Sequence, residues 1–132
     1  MAEPTVRASF AGAAFQVKLS DGEHEWLGDV PAGLGGGDTG PSPHQLLLSA
    51  LGACTSITVA MYAQRKGLPL ESIDVDLKVL QERPGHTEIG RDIRLAGVLT
   101  EEQRTRLLEI ANACPIHKVL SGEIVITSQL VE

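Results

Sequence analysis

Aromatic side chains are nearly absent: one Trp, one Tyr and two Phe, 3% of 132 residues. Proteins that stack single-stranded bases need such rings in number, so the composition argues against that class. Positive charge is also scarce. Eleven Lys and Arg face seventeen Asp and Glu, a formal net charge of −6. That balance argues against nucleic acid or an anionic membrane surface as partner. Cysteine is limited to two residues, too few for a disulfide scaffold. The first fifteen residues carry Glu3 and Arg7 and no continuous apolar stretch, so no secretory signal is expected. A cytoplasmic chain whose thiols are free, metal-binding or redox-active fits these absences. No internal repeat, linker or low-complexity tail is visible, which leaves a single domain over residues 1–132. At that length it should bury roughly two-thirds of the surface its unfolded chain exposes.

What the chain does have is a long uncharged run, GPSPHQLLLSALGACTSITVAMYA, from Gly40 to Ala63. Leu46 to Ala63 approaches the length of a bilayer-crossing helix. It is dotted with Ser49, Gly52, Thr55, Ser56 and Thr58, and no second span accompanies it. The expectation is therefore a helix buried on all sides inside a protein, not a membrane span. One short chain supplies little cover for such a helix. The small residues Ser49, Ala50, Gly52 and Ala53 would admit another backbone closely, so an intertwined homodimer around this helix is expected.

The remaining elements follow from turn and periodicity signals. Thr5–Ala11 and Ala14–Ser20 read as strands joined at Ala11-Gly12, and Asp21-Gly22 reads as a hairpin into Glu25-Trp26-Leu27. Ser42 is placed as N-cap with Pro43 at the first helical position, and the helix runs to Lys66 before Gly67. Ile73, Val75, Leu77 and Val79 alternate with polar residues. After Pro84-Gly85, Ile89, Arg91, Ile93 and Leu95 share one phase of a partner strand. Thr100 and Gln103 fit a capping box for a helix in which Leu107, Leu108, Ala111 and Cys114 continue with helical spacing. A short helix opens at Pro115 and stops at Ser121-Gly122, and Glu123 to Val131 reads as a last strand. The order βββ-α-ββ-α-α-β indicates an α+β fold.

Chemistry centres on the two cysteines. Cys54, mid-helix and among apolar residues, reads as an inert core thiol unless a cation activates it. Arg65 lies on its helical face but about 16 Å along the axis, too far to touch. Arg91 falls between Ile89 and Ile93, so its guanidinium should point into a core or cleft toward a thiolate or carboxylate. A structural ion pair with Glu88 or Asp92 competes with that reading, and Arg7 and Lys18 are weaker activators. Cys114 precedes Pro115 and becomes the N-cap of the short helix, where the dipole should lower its pKa. Local electrostatics alone would make Cys114 the nucleophile. His117 either caps the turn or hydrogen-bonds Cys114 or a neighbour. A zinc set of Cys54, Cys114, His117 and His44 lacks the short local pairs such sites use, so neither metal nor cofactor is expected. The Gly35-Gly36-Gly37 block lacks the lysine of a phosphate loop and reads as flexible. His24, His86 and Trp26 read as ordinary surface or core residues.

The run DVPAGLGGGDTGPSPHQLLLSALGACTS and the later IANACPIHKVLSG, with the element order around them, resemble the OsmC/Ohr family. These are osmotically induced and organic-hydroperoxide-resistance proteins, and the resemblance covers nearly the whole chain. It implies an OsmC-like fold, an intertwined homodimer with sites at the subunit interface, and thiol-dependent peroxidase activity on organic hydroperoxides in oxidative-stress defence. It also implies that Cys54 is the peroxidatic and Cys114 the resolving cysteine. The route would be a sulfenic acid and an intramolecular disulfide that an external dithiol reduces. Peroxidase members pair the reactive cysteine with an arginine held by a glutamate. Here His44 and Gln45 stand near the glutamate's place, and no arginine lies between Arg7 and Arg65. That departure supports a second reading, a non-catalytic dimeric module binding a small apolar or thiol-containing ligand.

Overall fold

Turn chemistry shapes the N-terminal sheet of this computed structural model, which describes residues 4–10 and 12–131. Strands β1 (Arg7–Phe10), β2 (Val17–Ser20) and β3 (Glu25–Gly28) pair antiparallel in that order. At the second hairpin the Asp21 carboxylate accepts the backbone N–H of Glu23 and of His24, at 2.8 and 2.6 Å. The expected turn at Ala11-Gly12 includes Ala11, which lies outside the described residues. By contact density the chain divides into Met1–Ser49 and Ala50–Glu132.

The Gly-rich segment of the first unit is pinned rather than loose. Asp29, 2% exposed, accepts four hydrogen bonds: Val30 N–H at 2.7 Å, Gly37 N–H at 3.3 Å, Thr39 N–H at 3.1 Å and the Thr39 hydroxyl at 2.6 Å. A Cβ at Gly36 would lie 2.1 Å from the Val30 carbonyl oxygen, so only glycine fits there. The expected flexible loop is thus corrected, because a buried carboxylate gathers its N–H groups. Those bonds, the Thr39 hydroxyl foremost, hold the Asp29 pKa down to about 2. A depressed acid stabilises the fold above its unfolded pKa of about 3.9, and that contribution disappears as pH falls toward 2. Asp29→Ala should lower Tm by several degrees at neutral pH. It should also flatten the acid limb of a plot of Tm against pH. An unchanged acid limb would contradict the pinning role.

Helix α1 (Pro43–Lys66) begins as its sequence signals indicate. The Ser42 hydroxyl accepts from Gln45 N–H at 3.3 Å, and Gln45 Oε1 accepts from Ser42 N–H at 2.9 Å. This is a reciprocal cap that uses up two orphan donors. The buried residues of α1 are Leu51, Thr55, Val59 and Ala63, one stripe at every fourth position. The expected all-round burial does not occur within one chain. By length and hydropathy this helix could cross a bilayer.

In the second unit, β4 (Ser72–Arg83) and β5 (His86–Ala96) form an antiparallel hairpin that places Leu77 opposite Arg91. Helix α2 (Glu101–Ala111) starts at the Thr100–Gln103 capping box, and α3 (Pro115–Ser121) follows with Cys114 as its N-cap. Val59 and Ala63 of α1 pack with Leu107 and Ala111 of α2, flanked by Ile73, Ile93 and Leu95 of the hairpin. Two expectations are corrected here. A Cβ at Gly52 would lie 2.8 Å from Leu77 Cδ1, so this small residue makes room for β4 of its own chain. The expected last strand, Glu123 to Val131, is absent. Residues 123–131 have strand-forming composition but no ladder partner, and Leu130 is 99% exposed.

Candidate active site

The start of α3, the middle of α1, the end of α2 and one strand, β5, bring the site together in the second unit. Pro115 fixes the entry of α3, so that Cys114 caps it and accepts the His117 N–H at 3.3 Å. The next donor over, Ile116 N–H, points at Cys54 Sγ at 3.4 Å. Both sulfurs therefore take a backbone N–H from the first turn of α3. The two thiols are unbridged. Cys54 is half-buried and Cys114 fully buried.

Arg91 links the hairpin to this pair. Its inward strand phase, read from the sequence, holds, but its partners are neither Glu88 nor Asp92. One terminal nitrogen donates to the Thr55 hydroxyl at 2.9 Å. The other donates to Asn112 Oδ1 at 2.8 Å and to His117 Nδ1 at 3.0 Å. A guanidinium has only donors, so Nδ1 must accept and the neutral ring carries its proton on Nε2. Burial, with the Arg91 charge behind it, lowers the His117 pKa and keeps that ring neutral. The Thr55 hydroxyl lies 3.8 Å from Cys114 Sγ and donates to the Leu51 carbonyl at 2.7 Å.

Burial pushes the Cys114 thiol up, but other groups outweigh it and leave the pKa below the ordinary cysteine value. These are the His117 N–H, the Thr55 hydroxyl, the Cys54 thiol and the Arg91 charge. Arg91, the activating candidate named from the sequence, is thus one of the groups that lower the Cys114 pKa. A cavity of about 390 Å³ opens on this network, lined by Arg91, Asn112 and His117 with apolar walls from Leu51, Ile93 and Leu120. Neither sulfur is among its lining residues.

The structure brings together Cys54, Cys114, Arg91 and His117. Gln45 is committed to the α1 cap, and His44 sits beside it in the first turn of that helix, both in the first unit. Among the described residues, no group of three or more His, Cys, Asp and Glu side chains could hold a metal ion. Thr55 and Asn112 escape sequence reasoning. Thr55 resembles a polar interruption of an apolar helix. Asn112 has a weak signal as the residue that closes α2.

The family model described as OsmC-like protein matches residues 35–129. No curated protein matches the sequence. The fold is similar to that of an OsmC like protein from Mycoplasma pneumoniae, at 17% identity and TM-score 0.77, covering 92% of this chain and 89% of that one. An organic hydroperoxide resistance protein OsmC from Legionella pneumophila is similar at 20% identity and TM-score 0.67, covering 92% and 91%. The organic hydroperoxide resistance protein OhrB of Bacillus subtilis is similar at 23% identity and TM-score 0.62, covering 91% of each chain. Identities this low carry the fold alone.

Proposed function

The chain belongs to the OsmC-like family, and from that premise we propose that it is a cytoplasmic, homodimeric thiol peroxidase that reduces organic hydroperoxides in peroxide defence. The observation that supports this reading most is the meeting of two unbridged thiols, remote in sequence, over one helix start beside a half-buried arginine. The half-buried Cys54 is the sulfur that a peroxide reaches. Its thiolate attacks the terminal peroxide oxygen and the O–O bond breaks. Sulfur is oxidised to sulfenic acid, and the alkoxide takes a proton from solvent to leave as alcohol. The Cys114 thiolate then attacks the Cys54 sulfur. An S–S bond forms, the S–O bond breaks, and hydroxide leaves as water after protonation. An external dithiol reduces the disulfide and closes the cycle.

The depressed Cys114 pKa suits this second step, because a resolving sulfur must be thiolate to attack. The non-catalytic reading draws on Gln45, which stands near the family's acid and is held in the helix cap. Turnover of cumene or tert-butyl hydroperoxide with a dithiol reductant separates the two. A peroxidase should consume hydroperoxide in proportion to enzyme. Its resolution rate should fall as the pH drops through the lowered Cys114 pKa. No consumption above buffer, with both thiols free, would leave only the binding module.

A further inference from the structure

We propose that Thr55 is a positioning residue for Cys114, its O–H turning its hydrogen bond from the Leu51 carbonyl to the Cys114 sulfur when that thiol ionises. Thr55 is fully buried, so its hydroxyl cannot turn to water. Arg91 donates into its oxygen at 2.9 Å, which occupies one lone pair and leaves a single hydrogen to place. Two acceptors lie within reach: the Leu51 carbonyl oxygen at 2.7 Å and Cys114 Sγ at 3.8 Å. While Cys114 keeps its own proton, the carbonyl is the better acceptor, and the bond to the residue four back is the usual helical threonine contact. A thiolate reverses that preference, since hydrogen bonds to ions are shorter and stronger than neutral ones. Donation from Arg91 polarises the Thr55 O–H, so the guanidinium acts on the sulfur through the hydroxyl as well as through space.

The other groups facing Cys114 are Cys54 from α1, Arg91 from β5 and His117 from α3, whose backbone N–H donates to the sulfur and whose ring is neutral. Asn112, at the end of α2, is uncharged and bound to Arg91. Among the described residues, His117 meets the guanidinium and the sulfur with two separate groups, its ring and its backbone N–H, whereas the Thr55 hydroxyl is a single group within hydrogen-bond reach of both. The inference rests on the redox role given to Cys114, but its test reads ionisation directly.

Thiolate absorbance in the ultraviolet is followed against pH in Cys54→Ser, where Cys114 is the remaining thiol. Adding Thr55→Val or Thr55→Ala, neither with a hydroxyl, should cut the thiolate fraction at neutral pH by roughly tenfold. Adding Thr55→Ser should leave it unchanged. If valine prevents folding, alanine carries the same comparison. A titration unmoved by loss of the hydroxyl would overturn the proposal. So would a serine variant shifted as far as the others, because packing would then explain the change. A protein that fails to turn over peroxide but titrates as expected would overturn the peroxidase reading and leave the Thr55 role standing.

Discussion

Cys54→Ser is expected to lower hydroperoxide turnover by roughly 10³-fold or more, to the level of the uncatalysed reaction. Cys114→Ser should instead complete the first half-reaction and stop. The asymmetry follows from burial and hydrogen bonding. Cys54 is the half-buried sulfur and Cys114 is sealed within the protein, so peroxide is expected to meet Cys54 first. Without Cys114 no thiolate stands ready to displace hydroxide from the sulfenic acid. Intact-mass measurement should then show one added oxygen on Cys114→Ser after stoichiometric peroxide. The wild-type protein should lose two hydrogens as the disulfide forms. The reverse pattern would mean that the sulfur with the depressed pKa is the nucleophile. That is where local electrostatics alone pointed from the sequence, through the α3 start and the proline behind it. Equal turnover by wild type and Cys54→Ser would remove Cys54 from the chemistry.

Much of the helical structure was legible because its signals are local. Ser42-Pro43 and Lys66-Gly67 bound α1, Thr100 and Gln103 cap α2, and Pro115 makes Cys114 an N-cap, all as read. Arg91 was legible as an inward arginine from strand phase alone. Its partners were not. Thr55, Asn112 and His117 come from three helices, and no spacing in the chain tells which of them a β5 side chain will meet. The role of Gln45 was available and passed over, since Ser42 and Gln45 have the spacing of a capping box. Asp29 was hidden for the opposite reason. An acid next to a Gly-rich block looks solvated until the backbone N–H groups eight and ten residues later fold onto it.

One chain leaves α1 poorly covered. Ile57 and Met61 are 57% and 56% exposed, on a helix whose buried side is a single stripe. The C-terminal segment adds Val125, Ile126 and Leu130, at 75%, 82% and 99% exposed, with no strand to pair with. Exposed apolar area on this scale marks an interaction surface. We propose that a second copy covers it, burying roughly 2,000 Å² or more, as permanent complexes do. Folding and association would then be linked, and Tm should rise with protein concentration. Ile57→Lys, which would strand an unpaired charge in that interface, should weaken dimerisation by roughly 10²-fold or more. Arg65→Lys, at a solvent-facing cationic helix end, should leave it unchanged. Analytical ultracentrifugation across the micromolar range checks both variants. A well-folded, monodisperse wild-type monomer would refute the dimer. The exposed apolar face of α1 and the unpaired C-terminal segment would then need another partner.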